Sequence, residues 1–305
     1  MNGAPSQKAR DKMPADSLSI IIPAKNEAGS LRLLLPEIRR LLPAAEVIVI
    51  NDGSTDSTNE VCNKLGAKMI EHPYSMGNGA AVKSGARAAR GDILVFMDGD
   101  DQHDPNDIPR LLEKLEEGYD MVVGARSWRS QAGALRALAN SAYNKLASWM
   151  TGRIVDDLTS GFRAVKADKF RRFLYLLPNG FSYPTTITMT FFRSAYPIAY
   201  IPIKAAKRNG TSNISLLKDG IRFFVIILKI GALFSPMRLF LPVSLLFFLI
   251  GLSYYSYTFF MYGRLTIMSA LLFIASMLTF LIGIVSEQVS ALHYRGMDSD
   301  RDRTP

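Results

Sequence analysis

Asp98, Asp100 and Gln102 stand at alternate positions in the stretch Ile93 to Asp104, which reads ILVFMDGDDQHD. Two carboxylates and a carboxamide are hard oxygen donors of the kind that hold a divalent cation such as Mg2+ or Mn2+. In extended chain, alternate residues project to one side, so all three would face one ion. Gly99 leaves room for a ligand to approach closely. The competing reading is a solvated acidic turn, because Asp and Gly are common turn residues. The residues in front favour a site: Ile93 to Met97 is a short, apolar, β-rich run, so the carboxylates fall at the end of a buried strand.

Other polar clusters fall at the ends of similar runs. Leu18 to Ile22 is an apolar strand closed by Pro23 and followed by Ala24, Lys25, Asn26 and Glu27. Val47 to Ile50 ends at Asn51-Asp52-Gly53-Ser54, after which Asp56 can cap a helix and Gly66 can end it. Helix patterns cover roughly Ser30 to Leu42, with Pro36 as a kink or delay, then Ala80 to Arg90, and Pro105 to Gly118. Strands are expected near Lys68 to Glu71 and at Met121 to Gly124. Alternating strands and helices predict an α/β fold: a mostly parallel sheet with helices on both faces. Ligands of such sheets bind beyond the carboxyl ends of the strands, where Pro23 to Glu27, Asn51 to Ser54, Asp98 to Gln102 and Arg126 all fall. Asp52 has two readings there, acceptor of hydrogen bonds from a nucleotide base or ribose, or cap of its own turn.

Beyond Trp128 a helical pattern runs to Met150 and carries Arg136. Asp156 to Arg163 reads as a tight loop, followed by a helix from about Ala167 to Leu177. Phe181 to Tyr183 and Ile198 to Ile203 flank another helix begun by Pro184, and Lys207 to Ser212 forms a basic turn.

The chain has 305 residues, a formal charge of +9 and 48% hydrophobic residues, enough for a sizeable core. Leu239 to Tyr262 and Leu265 to Ser286 carry no charge, and each is long enough as a helix to cross a hydrocarbon layer of about 30 Å. The basic residues track these segments: Lys204, Lys207, Arg208, Lys218, Arg222, Lys229 and Arg238 come before them, and Arg295, Arg301 and Arg303 after. That distribution, without any zinc or RNP-type signature, argues for a membrane and against nucleic acid. It places both long ends on the cytoplasmic side. The single cysteine, Cys62, excludes an intrachain disulfide and suits helix packing. Residues 1–16 are polar, a tail without the apolar core of a signal peptide.

Six motifs now line up: PAKNE, NDGSTD, GNGAAVKSGARAARGD, DGDDQH, GARSW and LTSGFRA. In order and rough spacing they resemble family 2 glycosyltransferases. With two terminal spans the chain is similar to the polyprenyl-phosphate hexose synthase group, which includes dolichol-phosphate mannose synthase and undecaprenyl-phosphate sugar transferases. The resemblance implies a nucleotide-sugar-binding fold of GT-A type, with the nucleotide against Pro23, Ala24, Glu27 and Asp52 and the metal at Asp98, Asp100 and Gln102. Arg126 and Arg136 match basic residues that meet the lipid phosphate. Ser160, Gly161, Phe162 and Arg163 match the loop lining the sugar and acceptor, and Lys207 or Arg208 a basic residue closing over the phosphates. Two departures stand out. Asn78 replaces a frequent basic residue, and Pro184-Thr185-Thr186 lies where relatives often present an acid.

The expected protein is a membrane-bound, inverting, metal-dependent glycosyltransferase of the cytoplasmic membrane, moving a hexose from a nucleotide sugar of the GDP-mannose or UDP-glucose type to a polyprenyl phosphate. Asp98, Asp100, Arg126, Arg136 and Arg163 would serve the chemistry. The expected division is a tail (1–16), a cytoplasmic transferase domain (17–213), interfacial helices (214–236), two spans (237–290) and a cytoplasmic tail (291–305), with homo-oligomers permitted through the spans. The rivals are transfer to a hydroxyl acceptor such as a membrane glycerolipid, and a non-catalytic membrane scaffold.

Overall fold

Runs of β-branched and aliphatic residues with no charge inside them form the central strands. The computed structural model describes residues 17–126, 134–180, 182–204 and 235–299, together with Val225, Leu228, Lys229, Gly231 and Ala232. Two compact units emerge, one of Met1–Ser148 with Arg153–Ile221, the other of Trp149–Gly152 with Arg222–Pro305.

The first unit is built on a seven-stranded sheet. In chain order its elements are β1 (Leu18–Ala24), α1 (Ala28–Leu41), β2 (Glu46–Asn51), α2 (Thr58–Lys64), β3 (Lys68–Glu71), α3 (Asn78–Ala88), β4 (Ile93–Phe96), α4 (Ile108–Glu116), β5 (Met121–Arg126), α5 (Ala134–Thr151), β6 (Arg163–Lys166), α6 (Ala167–Arg171), α7 (Tyr183–Arg193) and β7 (Ile198–Ile203). The strand order is β3-β2-β1-β4-β6-β5-β7. Every pairing is parallel except the two made by β6, which runs against β4 and β5.

Successive side chains of each strand point to opposite faces, so each face gathers its own helices. Ile20 and Ile22 of β1, Val47 and Val49 of β2, Val95 of β4 and Ile201 of β7 pack with Leu31, Leu35 and Ile38 of α1, Cys62 of α2 and Leu111 of α4. On the other face a Cβ placed on Gly85 of α3 would strike Ile21 and Ile50, so only a glycine lets that helix lie so close. Phe96 there meets Phe170 of α6 and Tyr183 of α7 at ring-centroid distances of 4.6 and 6.1 Å. Helices on both faces of a mostly parallel sheet is the expected architecture.

Three local expectations need correction. Pro23 does not close β1: it stays in register with Ile50, and its carbonyl accepts from Gly99 N–H at 3.3 Å. Pro36 does not delay α1, which starts at Ala28 and contains it. The loop read from Asp156 to Arg163 ends in a strand, β6. Its four residues, RAVK, are too few and too charged at both ends to show strand periodicity.

The second unit contains α8 (Pro236–Tyr262) and α9 (Ile267–Ser299). Pro236–Tyr262 and Ile267–Ser290 are long and apolar enough to cross a membrane. Only 11% and 17% of their most apolar windows are buried within the protein, unlike the core helices of a soluble domain. Ser244 Oγ donates to the Ser276 carbonyl and Ser276 Oγ to the Ser244 carbonyl, both at 2.9 Å, which ties the two helices together.

Candidate functional site

Because β1, β2, β4 and β5 run the same way, their carboxyl ends lie along one edge of the sheet. β6 runs the opposite way, so its amino end and the Asp157 to Phe162 loop before it reach that same edge. The unpredicted strand therefore delivers the LTSGF motif to the ends of β4 and β5.

On the β1 and β2 side, two loops lock together. Asn26, held at φ +57°, donates its backbone N–H to Ser54 Oγ at 2.9 Å, and its Oδ1 accepts from Thr55 N–H at 2.7 Å. Asp56 accepts from Thr58 N–H at 3.1 Å and from Ala28 N–H at 3.2 Å, so one carboxylate caps both α2 and α1. Pro23 and Glu27 are half-buried and Ala24 is buried, all at this edge.

Asp52 is almost fully committed to its own protein. Its Oδ1 accepts from Met76 N–H and pairs with His72 Nδ1, both at 2.8 Å, and its Oδ2 accepts from Ser75 Oγ and Gly77 N–H, both at 2.9 Å. A carboxylate has about four lone-pair positions, and all are used. Asp52 thus shapes the loop in front of α3, and His72 carries the chain on to Ser84 through its Nε2 at 2.9 Å. Gly53 must be a glycine here, since its φ is +67° and a Cβ would stand 2.7 Å from Ser75 N. Burial works to raise the Asp52 carboxyl, but these hydrogen bonds outweigh it and hold the group below the ordinary range.

The Asp98 to Gln102 segment departs from the expected extended geometry. Asp101 adopts φ +61°, and Gln102 N–H bonds to Asp100 Oδ1 at 3.3 Å, which folds the segment into a turn. Side-chain alternation therefore does not set the directions of Asp98, Asp100 and Gln102. All three are half-buried, and both carboxylates act electrostatically on Arg126. Among the described residues no three His, Cys, Asp or Glu side chains gather into a complete metal cage. Two carboxylates with an amide still fit Mg2+ or Mn2+, which commonly take one or two protein carboxylates and complete their shell with water and substrate phosphate. Asp98 lies so close to the backbone of the neighbouring loop that a Cβ on Gly161 would be 2.7 Å from its Oδ2.

Arg126 ends β5 in a bidentate pair with Asp157: Nε to Oδ2 at 2.8 Å and Nη2 to Oδ1 at 3.0 Å. Burial disfavours its charge, yet the bond and charge of Asp157, with Asp98 and Asp100 behind, raise its proton affinity above the usual arginine range. Asn144 of α5 fixes the loop carrying Asp157, donating to the Asp156 carbonyl at 2.6 Å and accepting from Leu158 N–H at 3.1 Å.

Arg163 is not at the surface. It is 0% exposed, donates to the Pro184 and Ser160 carbonyls and to Thr188 Oγ1, and lies 5.7 Å from the Tyr183 ring centre. It makes no salt bridge among the described residues, and burial pulls its proton affinity down. The side chain expected to serve the chemistry is a buried brace that holds the Ser160 loop against α7. Arg136 lies on α5, but its side chain is outside the described residues, as are Lys207 and Arg208.

Sequence reading passed over Asp157, Thr159 and His103. His103 is buried and stacks on Phe162, with ring centroids 5.0 Å apart and planes at 14°. Burial pushes its imidazole down to about 4, so it is neutral at physiological pH. Its place next to DGDDQ was the available signal. For Asp157 the signal was a second acid immediately before LTSGFR.

Residues 19–174 match glycosyl transferase family 2. The chain belongs to glycosyl transferase family 2. Residues 235–292 of this glycosyltransferase match the GtrB C-terminal hairpin. Among curated relatives, a dolichyl-phosphate hexose transferase of Haloferax volcanii is 29% identical over 207 residues, 67% of this chain and 90% of that protein. An undecaprenyl-phosphate 4-deoxy-4-formamido-L-arabinose transferase of Salmonella paratyphi A is 33% identical over 170 residues, 51% of this chain. The match spans about half of that relative's length, 50%. Among solved structures, glucosyl-3-phosphoglycerate synthase from Mycobacterium tuberculosis, in complex with Mn2+, UDP-glucose and phosphoglyceric acid, superposes with a TM-score of 0.60 at 22% identity, covering 74% of this chain and 82% of that one. The same enzyme in complex with Mg2+ and UDP gives 0.59. At that identity the likeness shows the fold of this glycosyltransferase, a GT-A-like mixed sheet.

Proposed function

We propose that this glycosyltransferase moves a hexose from a nucleotide sugar to a polyprenyl phosphate with inversion at the anomeric carbon. The carrying observation is the meeting of Asp98, Asp100 and a preset Arg126 at the carboxyl edge of the sheet. The two curated relatives, both named as polyprenyl-phosphate sugar transferases, support the acceptor.

Residues Pro23 to Glu27 and the loop held by Asp52 form the donor side. Asp98, Asp100 and Gln102 would hold Mg2+ or Mn2+, which supplies positive charge to the departing nucleoside diphosphate. Arg126 holds the acceptor phosphate on the other side, with Arg136 as a second cation and Lys207 or Arg208 closing over the donor phosphates. A phosphate oxygen then attacks the anomeric carbon opposite the leaving diphosphate, and positioning provides most of the rate. A phosphate with a second pKa of about 6 is already ionised at neutral pH and needs no general base. In keeping with this, the start of α7 presents the buried Thr185 and Thr186, where a hydroxyl-directed relative would need a carboxylate. The two apolar helices anchor the enzyme in the membrane that carries the lipid, with both ends of the chain on the cytoplasmic side.

The test is to incubate the purified protein with Mn2+, a panel of labelled nucleotide sugars and a polyprenyl phosphate. Label in an acid-labile lipid is expected. Label only in an acid-stable glycolipid, made from a glycerolipid hydroxyl, overturns the acceptor assignment.

A further inference from the structure

Arginine is a long side chain with several rotatable bonds, and a lone one at a sheet edge would sample many directions. Arg126 does not have that freedom. Its Nε donates to Asp157 Oδ2 at 2.8 Å, while Nη2 donates to Asp157 Oδ1 at 3.0 Å and to Thr159 Oγ1 at 2.6 Å. Three of its five N–H groups are thereby fixed in one plane, and the two on Nη1 have no hydrogen-bond partner among the described residues. The side chain keeps 24% of its exposure, while that of Asp157 keeps only 4%. Asp98 and Asp100 also act electrostatically on Arg126 from outside this pair.

Asp157 is itself over-determined. It accepts from the backbone N–H groups of Thr159 and Ser160, each at 3.1 Å, and from Arg126 N–H at 3.2 Å. Ser160 Oγ in turn donates to the Gly124 carbonyl at 2.6 Å, binding the loop to β5 two residues before Arg126. A guanidinium clamped on one edge by a buried, immobile acid presents its other edge at a fixed angle, which removes the entropy cost of ordering it when an anion arrives.

We infer that Asp157, with Thr159, is the positioning residue that aims the Nη1 edge of Arg126 at the acceptor phosphate. This rests on the polyprenyl phosphate reading above. In this role Asp157 acts through Arg126 and not by contact with the acceptor.

The experiment is a double-mutant cycle on the full-length protein in detergent, with Asp157→Asn, Arg126→Lys and the pair combined. Asp157→Asn is expected to raise the KM for polyprenyl phosphate at least tenfold and to leave the KM for the nucleotide sugar within twofold. Thr159→Val should raise the same acceptor KM by a smaller factor. In the Arg126→Lys background, adding Asp157→Asn should change the acceptor KM by less than twofold. Binding of the nucleoside diphosphate with Mn2+ shows that each variant is folded. Equal changes in both KM values, a multiplicative double variant, or loss of nucleotide binding in both Asp157→Asn and Thr159→Val overturns the inference.

Should the wild-type protein label no polyprenyl phosphate, the acceptor reading fails by itself, and a second measurement decides on Asp157. Phenylglyoxal modification of Arg126 is followed by peptide mass with and without inorganic phosphate. Protection in the wild type that is lost in Asp157→Asn supports the positioning role; equal protection in both, or none in either, removes it.

Discussion

The imidazole of His103 lies nearly parallel to the Phe162 ring, their centroids 5.0 Å apart. This contact joins the turn carrying Asp98, Asp100 and Gln102 to the loop carrying Asp157 and Gly161, so the two halves of the proposed site share one stacked pair. His103→Ala is expected to cost about 2 kcal/mol of stability from the lost burial and stacking. It should also raise the Mn2+ concentration needed for half-maximal activity several-fold, whereas His103→Phe keeps the stack and restores most of both. Thermal unfolding and metal titration of the two variants check this. Equal metal requirements in His103→Ala and wild type would remove the coupling.

Gly161 offers a sharper probe of Asp98. A Cβ there would stand 2.7 Å from the carboxylate, so the side chain or the loop must shift. Gly161→Ala is expected to lower kcat by about a hundredfold, the scale of an ångström-sized misplacement of a reacting group. Steady-state kinetics with saturating donor measure it. A variant within threefold of wild type means that Asp98 moves freely and does not orient the reaction.

Metal removal should act through the same turn. Exhaustive chelation is expected to abolish sugar transfer, and Mn2+ or Mg2+ to restore it. Asp100→Ala and Gln102→Ala should weaken metal-dependent nucleotide diphosphate binding, the former by tenfold or more. Calorimetric titration with and without metal separates this from a folding defect. Full activity after chelation would exclude the cation from the mechanism.

Acid stability should report on Asp52. Burial raises its carboxyl and its hydrogen bonds lower it further, leaving a folded value below the ordinary one. Asp157 behaves alike: burial opposes its charge, but the bond to and charge of Arg126 prevail. An acid whose folded value lies below its unfolded value of about 3.9 adds stability that is complete above that pH. That stability drains away as pH falls towards the folded value. Stability is therefore expected to drop below about pH 4, and Asp52→Asn to flatten that limb while costing about 1–3 kcal/mol at neutral pH. Denaturant unfolding across the acid range checks it. A variant curve that runs parallel to wild type excludes Asp52 as a source of the slope.

The strands β1, β2, β4 and β5 were legible because they are buried on both faces and read as apolar runs, and β7, at the sheet edge with alternate residues buried, because its sequence is apolar throughout. So was the edge where their polar ends gather, since parallel strands end together. β6 was not legible: Arg163 and Lys166 bracket only two apolar residues, and a charged residue that is 0% exposed contradicts the usual reading of arginine. The cluster at Asp98 was found for a partly wrong reason, because alternation assumes extended chain and Asp101 turns the backbone over. Position left Asp52 with two readings, ligand acceptor or cap of its own turn, and only the family resemblance pointed to the nucleotide. The four partners of Asp52 come from residues 72 to 77, a distance along the chain that no local pattern reveals.

With β6 wedged between β4 and β5, everything from Arg126 to Arg163 is an excursion that departs from and returns to one margin of the sheet. The entropy of closing such a detour grows only slowly, by about 0.6 kcal/mol for each doubling of its length. Evolution can lengthen, shorten or replace the detour for a new acceptor while the return strand keeps its two anchor points, so tolerance of insertions should be concentrated there and sparse between β1 and β4.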